Sequence, residues 1–343
     1  MRTALIVGVA GTKLSRDEAA FLKEARPAGF ILFARNLADH AQIRALIADV
    51  RAAVGGDDLL VLIDQEGGSV QRLRPPLGRA LPPAAAYGRL YARDRDAAVT
   101  AVFEVTRLLA ADLSALGINT DCAPVLDVPV PGAHDIIGDR AYGRSVDQVV
   151  ALAEAVGDAF IAGGVVPVIK HIPGHGRATA DSHLALPVVT EARDELAVTD
   201  FAPFKALNRM PAAMTAHVVF RDIDPEAPAS TSPIVTRDII RGAIGFDGLL
   251  MSDDLTMKAL SGPMRARAEA VIAAGSDLAL HCSGDLPEMR QAAAGSGALG
   301  GRARERFDAA VKITKATRPF DSHAAEAQLA KVLAFAAGSA ESV

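Results

Sequence analysis

The sequence predicts an α/β fold: a single (β/α)8 TIM-like barrel covering residues 1–343, finished by C-terminal helices. Three observations predict it. Eight short apolar runs of strand length alternate regularly with segments of helical periodicity. Ionisable residues recur just after the apolar runs, where the C-terminal ends of barrel strands would converge. No G-x-G-x-x-G follows a strand and no Walker-A loop occurs, so the open nucleotide-binding sheet lacks its fingerprint. The chain has no Pro/Gly/Ser-rich linker between halves, and no second domain is expected.

The apolar run ALIVGVA within Met1–Ala10 reads as the first strand; it is too short, and too soon followed by KLSRDE, for a secretion signal. Ser15 with Glu18 makes a capping box that opens a helix to about Arg26. Phe30–Phe33 is the second strand. Ile43, Leu46, Ile47, Val50 and Val54 then share one helical face, ended by Gly55-Gly56. Leu59–Ile63 is the third strand and runs straight into DQEGG. A long helix covers Asp94–Leu116 and stops at Gly117, before the strand and exit loop Thr120–Val128.

Ser145 with Gln148 predicts a second capping box, and Gly163-Gly164 closes that helix before the strand Val165–Ile169. A helix over Glu191–Arg209, a strand over Ala212–Val219 and a helix over Pro233–Ala243 come next. The strand Gly248–Met251 meets SDDL, a helix covers Ala266–Ala274, and Leu278–His281 is the eighth strand. Two Ala-rich helices, near Gly301–Thr314 and Ala324–Ala337, complete the chain.

Composition removes several functions. The net charge is −5 with both signs interspersed, and Trp is absent, so no nucleic-acid partner is expected. No apolar stretch reaches the roughly 18 residues of a membrane span. Cys122 and Cys282 are too few for a disulfide framework, which fits a reducing, cytoplasmic setting; one bridge or two buried thiols are both open, and two buried thiols are the simpler reading.

The polar strand ends are Asp64 and Glu66 with Arg72 beyond, then Asp127 with Asp139-Arg140 in its loop. Lys170 and His171 follow, with Asp181 and His183 in their loop, and then His217 and Asp253-Asp254. Carboxylates and histidines beside Lys and Arg donors, without a cysteine nucleophile, suit hydrolysis of a neutral polar substrate such as a sugar. By position, Asp253 is the candidate nucleophile. Asp181 and His183 form a D-x-H pair in which the carboxylate would tune the imidazole as acid and base. Other readings stand beside these. His171 and His175 could bind a metal with Asp181 and His183, but the spacing fits no zinc pattern and none is expected. His175 could simply shape its turn, Asp254 could be a core partner, Asp139-Arg140 a structural ion pair, and DQEGG a tight turn.

Five segments carry a family resemblance: IDQEGGSVQR (Ile63–Arg72), IIGDRAYG (Ile136–Gly143), KHIPGHGRATADSH (Lys170–His183), AHVVFRDIDPEAPAS (Ala216–Ser230) and GFDGLLMSDDL (Gly245–Leu255). With GFILFARN (Gly29–Asn36), they resemble bacterial β-N-acetylglucosaminidases of glycoside hydrolase family 3, the NagZ type, from about Gly29 to Ser283. The resemblance implies a short, single-domain barrel without a cofactor. It implies Asp253 as nucleophile, His183 as general acid/base and Asp181 as its partner. It implies Asp64, Arg72, Arg140, Lys170 and His171 as substrate-binding residues. The implied reaction is two-step retaining hydrolysis of terminal GlcNAc from GlcNAc-1,6-anhydro-MurNAc, with or without peptide, in cytoplasmic peptidoglycan recycling. A small-molecule substrate and a monomer are expected. One departure is Ser69, where Arg stands in many relatives. A phosphorylase, a substrate-assisted hexosaminidase and a non-catalytic sugar-binding barrel are the alternatives.

Overall fold

The computed structural model describes residues 1–132, 136–178 and 186–340. Eight parallel strands close a barrel: β1 (Thr3–Val7), β2 (Pro27–Leu32), β3 (Leu60–Ile63), β4 (Thr120–Asp121), β5 (Val166–Ile172), β6 (Ala212–Thr215), β7 (Leu249–Asp254) and β8 (Leu278–His281). Each pairs with its neighbours in sequence, and β8 closes on β1 through Leu5↔Ala279 and Ile6↔Leu280.

The two-residue period of the strands builds two cores. Ile6, Leu60, Leu62, Val166, Val168 and Met251 fill the barrel. Leu5, Val61, Ile63, Ile169 and Leu250 face the ring of helices. The same period carries function. Leu60 and Leu62 point inward and so do Asp64 and Glu66; Val166 and Val168 lead to Lys170; Leu249 and Met251 lead to Asp253. Phe307 and Val311 of the helix Gly301–Ile313 pack into the opposite end of the barrel, so the cavity opens on one side.

Local signals explain several helix ends. Ser15 Oγ accepts the Glu18 amide at 3.1 Å and the Glu18 carboxylate accepts the Ser15 amide at 2.8 Å, completing the capping box. Gly117 takes a left-handed φ of 88° and ends Arg95–Leu116, its amide and that of Ile118 returning to the last-turn carbonyls.

Several expectations are corrected. At the second capping box Ser15's pattern is only half repeated: Ser145 Oγ accepts the Gln148 amide, but the Gln148 side chain donates to the Gly88 carbonyl at 2.6 Å. The helix expected over Glu191–Arg209 is two short ones, Arg193–Val198 and Ala202–Ala206; the Pro at the start of the second has no N–H to continue the first. The Pro233–Ala243 segment is wound wider, as a π-helix over Val235–Ala243. Only Thr120–Asp121 of Thr120–Val128 is regular strand, because Pro124 lacks a donor; Val125 bridges to Lys170 beyond it. Val219–Phe220 leaves the barrel to pair with Val188–Val189. Helices Ala84–Tyr91 and Leu286–Ser296 were not anticipated.

Candidate active site

A cavity of about 440 Å³ opens at the C-terminal ends of the strands. Asp64, Arg72, Arg140, Lys170, His171 and Asp253 all line it, although 189 positions of chain separate the first from the last (253 − 64). Asp181 and His183 lie outside the described residues.

One wall is a buried ion cluster. Lys170 Nζ lies 2.6 Å from Glu66 Oε1 and 3.1 Å from Asp64 Oδ1. Arg72 Nη2 donates to Asp64 Oδ2 at 3.0 Å, and Arg140 grips Glu66 with two bonds of 2.8 and 2.9 Å. Burial opposes ionisation of Asp64, but Lys170 and Arg72 outweigh it and hold its carboxyl well below the ordinary range. Burial likewise opposes charge on Glu66, and Lys170 with Arg140 again prevail. For Lys170 and Arg140 the neighbouring carboxylates overcome the desolvation that would discharge them. Three cations face two carboxylates, so the wall offers N–H donors beyond those its own pairs consume.

A hairpin presents this wall. Gln65–Gly67 pairs with Val70–Gln71, and Gly67 turns with φ of 98°; a Cβ there would sit 2.5 Å from the Pro82 carbonyl oxygen. Gln65 Oε1 accepts the Arg72 and Leu73 amides, both at 2.9 Å, which fixes the start of the Arg72 side chain. Arg140 is not paired with Asp139. Its partner is Glu66, while Asp139 Oδ1 accepts the Ser69 hydroxyl at 3.2 Å. Ser69, the departure from the family pattern, thus joins the two loops.

A second unit is Asp127 with His171. Asp127 Oδ2 lies 2.7 Å from His171 Nδ1, and Oδ1 accepts the amides of His175 (2.7 Å) and His171 (3.3 Å). Burial works against charge on Asp127, but the histidines beside it and these N–H bonds hold its pKa below the ordinary carboxyl value. An ionised carboxylate can only accept, so Nδ1 carries the proton and Nε2 is left for the cavity. His175, 5.6 Å away ring to ring, is pushed down to about 4 by burial and the neighbouring His171.

Asp253 closes the site at the end of β7. Oδ1 accepts the Asp254 amide at 2.8 Å, while Oδ2 accepts from none of the described residues. Burial opposes its charge, but His217, His171 and Lys170 hold its pKa below the ordinary value. Asp254 is committed elsewhere: it accepts the Thr256 amide at 3.0 Å, the Cys282 amide at 3.1 Å and the Thr256 hydroxyl. His217 holds the Asp254 carbonyl at 3.1 Å through Nε2, so Nε2 donates; Nδ1 sits 2.7 Å from Ser230 Oγ. Burial lowers the His217 pKa, and the neutral ring accepts from Ser230.

Glu66 and Asp127 were visible as strand-end carboxylates but had no assigned part; the inward period after Leu62 was the signal for Glu66. Asp121 was missed altogether. It is fully buried behind the hairpin, with Oδ1 accepting the Gln65 amide at 3.0 Å and Oδ2 without a partner among the described residues. Burial pushes its carboxyl up to about 8. Cys122 and Cys282 are buried free thiols, raised by desolvation, as expected. Among the described residues no group of three or more His, Cys, Asp or Glu is arranged to hold a metal ion, and no helix is long and apolar enough to cross a membrane.

The glycosyl hydrolase family 3 N-terminal domain matches residues 4–314. A beta-hexosaminidase from Bordetella pertussis is 39% identical over 288 residues, covering 83% of this chain and 81% of the relative. Another, from Alkalilimnicola ehrlichii, is 40% identical over 283 residues, 81% and 80% of the two chains. NagZ from Neisseria gonorrhoeae, solved in complex with N-trifluoroacetyl-D-glucosamine, superposes with a TM-score of 0.83 at 33% identity over 98% of both chains. A family 3 beta-N-acetylglucosaminidase from Paenibacillus gives 0.85 at 31% identity, over 96% of this chain and 66% of that one. With this barrel and these matches, the chain belongs to glycosyl hydrolase family 3 and is a glycoside hydrolase of the beta-hexosaminidase group.

Proposed function

We propose that the protein is a retaining exo-β-N-acetylglucosaminidase that removes terminal GlcNAc from peptidoglycan fragments, acting as a single-domain monomer in the cytoplasm. The observation that carries the reading is Asp253: an ionised carboxylate on the cavity wall with one oxygen taken up by none of the described residues, opposite a donor-rich cluster. A carboxylate so placed can attack an anomeric carbon, while Arg72, Arg140, Lys170 and His171 hold the sugar hydroxyls. The resemblance of the chain to NagZ, and that protein's complex with an N-acylated glucosamine, support the choice of sugar.

In the first step Asp253 Oδ2 bonds to C1 as the glycosidic bond breaks, and His183 gives its proton to the leaving oxygen. In the second, neutral His183 takes a proton from water, which attacks C1 and frees Asp253. Asp181 would hold the imidazole in the required tautomer. The substrate-assisted alternative asks a second carboxylate to orient the acetamido group, and Asp254 is already occupied by Thr256 and Cys282.

The test is hydrolysis of a nitrophenyl GlcNAc glycoside, with the glucose analogue beside it, in phosphate and in phosphate-free buffer. GlcNAc release should be strongly preferred, should not need phosphate, and should survive a chelator. Asp253→Ala should abolish it, and a fluorinated sugar should label Asp253. Labelling of another residue, or full turnover by Asp253→Ala, would sink the assignment; sugar phosphate as product would make the enzyme a phosphorylase.

A further inference from the structure

The segment FARN, Phe33 to Asn36, follows β2 and plays no part in the chemistry above, yet every side chain in it except Ala34 is tied to the cavity rim. Asn36 is fully buried; its Oδ1 accepts the Phe33 amide at 3.0 Å and its Nδ2 donates to the Val9 and Gly11 carbonyls at 3.0 and 2.9 Å. Arg35 donates through Nε to the Val9 carbonyl at 2.9 Å and through Nη2 to the Cys282 carbonyl. Gly8 leaves the room for this, since a Cβ there would lie 2.8 Å from Arg35 Nη2. The Phe33 main chain and the Arg35 guanidinium are therefore both anchored to the ends of β1 and β8.

Between them sits the Phe33 ring, which lines the cavity. The Arg35 guanidinium lies over it at 4.9 Å and the Arg72 guanidinium at 5.2 Å. Arg72 needs such a restraint. Among the described residues its one side-chain hydrogen bond is Nη2 to Asp64, and its buried Nε finds no partner there. One bond leaves a planar guanidinium free to swing about that contact. A ring face fixes the plane, because the quadrupole attracts the cation and the flat surfaces stack.

We propose that Phe33, braced by Arg35, is a positioning residue: its ring holds the Arg72 plane so that the N–H groups not used by Asp64 point at the bound sugar. This rests on the reading of Arg72 as a sugar-binding group. The Arg72 N–H groups so aimed serve the substrate complex and the transition state alike, so removal of the ring weakens binding and leaves the chemical step unchanged.

The test replaces Phe33 with mono-, di- and trifluorophenylalanine, which drain the ring face of negative charge at nearly constant shape. With the nitrophenyl GlcNAc substrate, KM should climb stepwise with fluorine count, by about two- to fivefold at the end of the series. The kcat should stay within about twofold and the thermal midpoint should not move. Phe33→Leu should match or exceed the trifluoro effect. A flat KM across the series overturns the proposal, whether or not Phe33→Leu is impaired, since a steric role alone would survive fluorination. A wild-type enzyme inactive on GlcNAc glycosides would instead overturn the function proposed above.

Discussion

The ammonium of Lys170 lies 2.6 Å from the carboxylate of Glu66, and both side chains are almost wholly withdrawn from solvent, 3% and 6% exposed. Breaking a buried pair on one side strands the other charge. Lys170→Met should therefore cost about 3–5 kcal/mol in urea unfolding, and Lys170→Met with Glu66→Gln should recover part of that loss. Asp64 and Glu66 both have folded pKa values below their unfolded ones. Their contribution is complete above about pH 5 and is lost as pH falls through the acid range.

Asp127→Asn should invert the face that His171 shows the cavity. The amide Oδ1 can keep the His175 N–H, but its NH₂ would then face Nδ1, which must become the acceptor, so Nε2 gains the proton. A loss of roughly 10- to 100-fold in kcat/KM is expected, in line with other histidine-orienting carboxylates. Nitrogen NMR of His171 should report the tautomer change; an unchanged tautomer would contradict the assignment.

Asp121 makes a prediction of opposite sign to Asp64. Its folded pKa, about 8, lies above its unfolded value of 3.8, so the native state holds the proton longer. Stability from this group is full in acid and falls as pH rises from about 4 to 8. Asp121→Asn keeps the acceptor for Gln65 and should flatten that slope. Chemical unfolding of both proteins at pH 5 and pH 8 checks it: the variant's gain on wild type should be small at pH 5 and much larger at pH 8.

Ser230→Ala should reach Asp253, the proposed nucleophile, through two hydrogen bonds to its neighbour Asp254. Without the Ser230 hydroxyl the His217 ring loses the contact that sets its tautomer, and its hold on the Asp254 carbonyl weakens. About 1 kcal/mol of stability should go, with kcat falling several-fold and KM little changed, since the geometry of the proposed Asp253 attack is what loosens. Ser230→Thr should restore much of the rate.

Much of this was legible in the chain. Apolar runs of strand length, separated by helices with recognisable caps, determine a barrel because a parallel strand buried on both faces must be apolar, and each crossover needs a helix. The period of two then determines which end residues turn inward, and Asp64, Lys170 and Asp253 fall on it. What the sequence could not determine is partnership. Asp139 adjoins Arg140, yet Arg140 reaches Glu66, 74 residues away, because burial makes a doubly hydrogen-bonded carboxylate the better partner than an exposed neighbour. Asp127 and His171 meet only because β5 passes the loop after β4, and Asp121 looks like any strand-end acid until the fold removes its water. Residue types and their period are local properties of the chain. Charge states, tautomers and pairings depend on which groups closure of the barrel excludes from solvent together, and that was decided by tertiary structure alone.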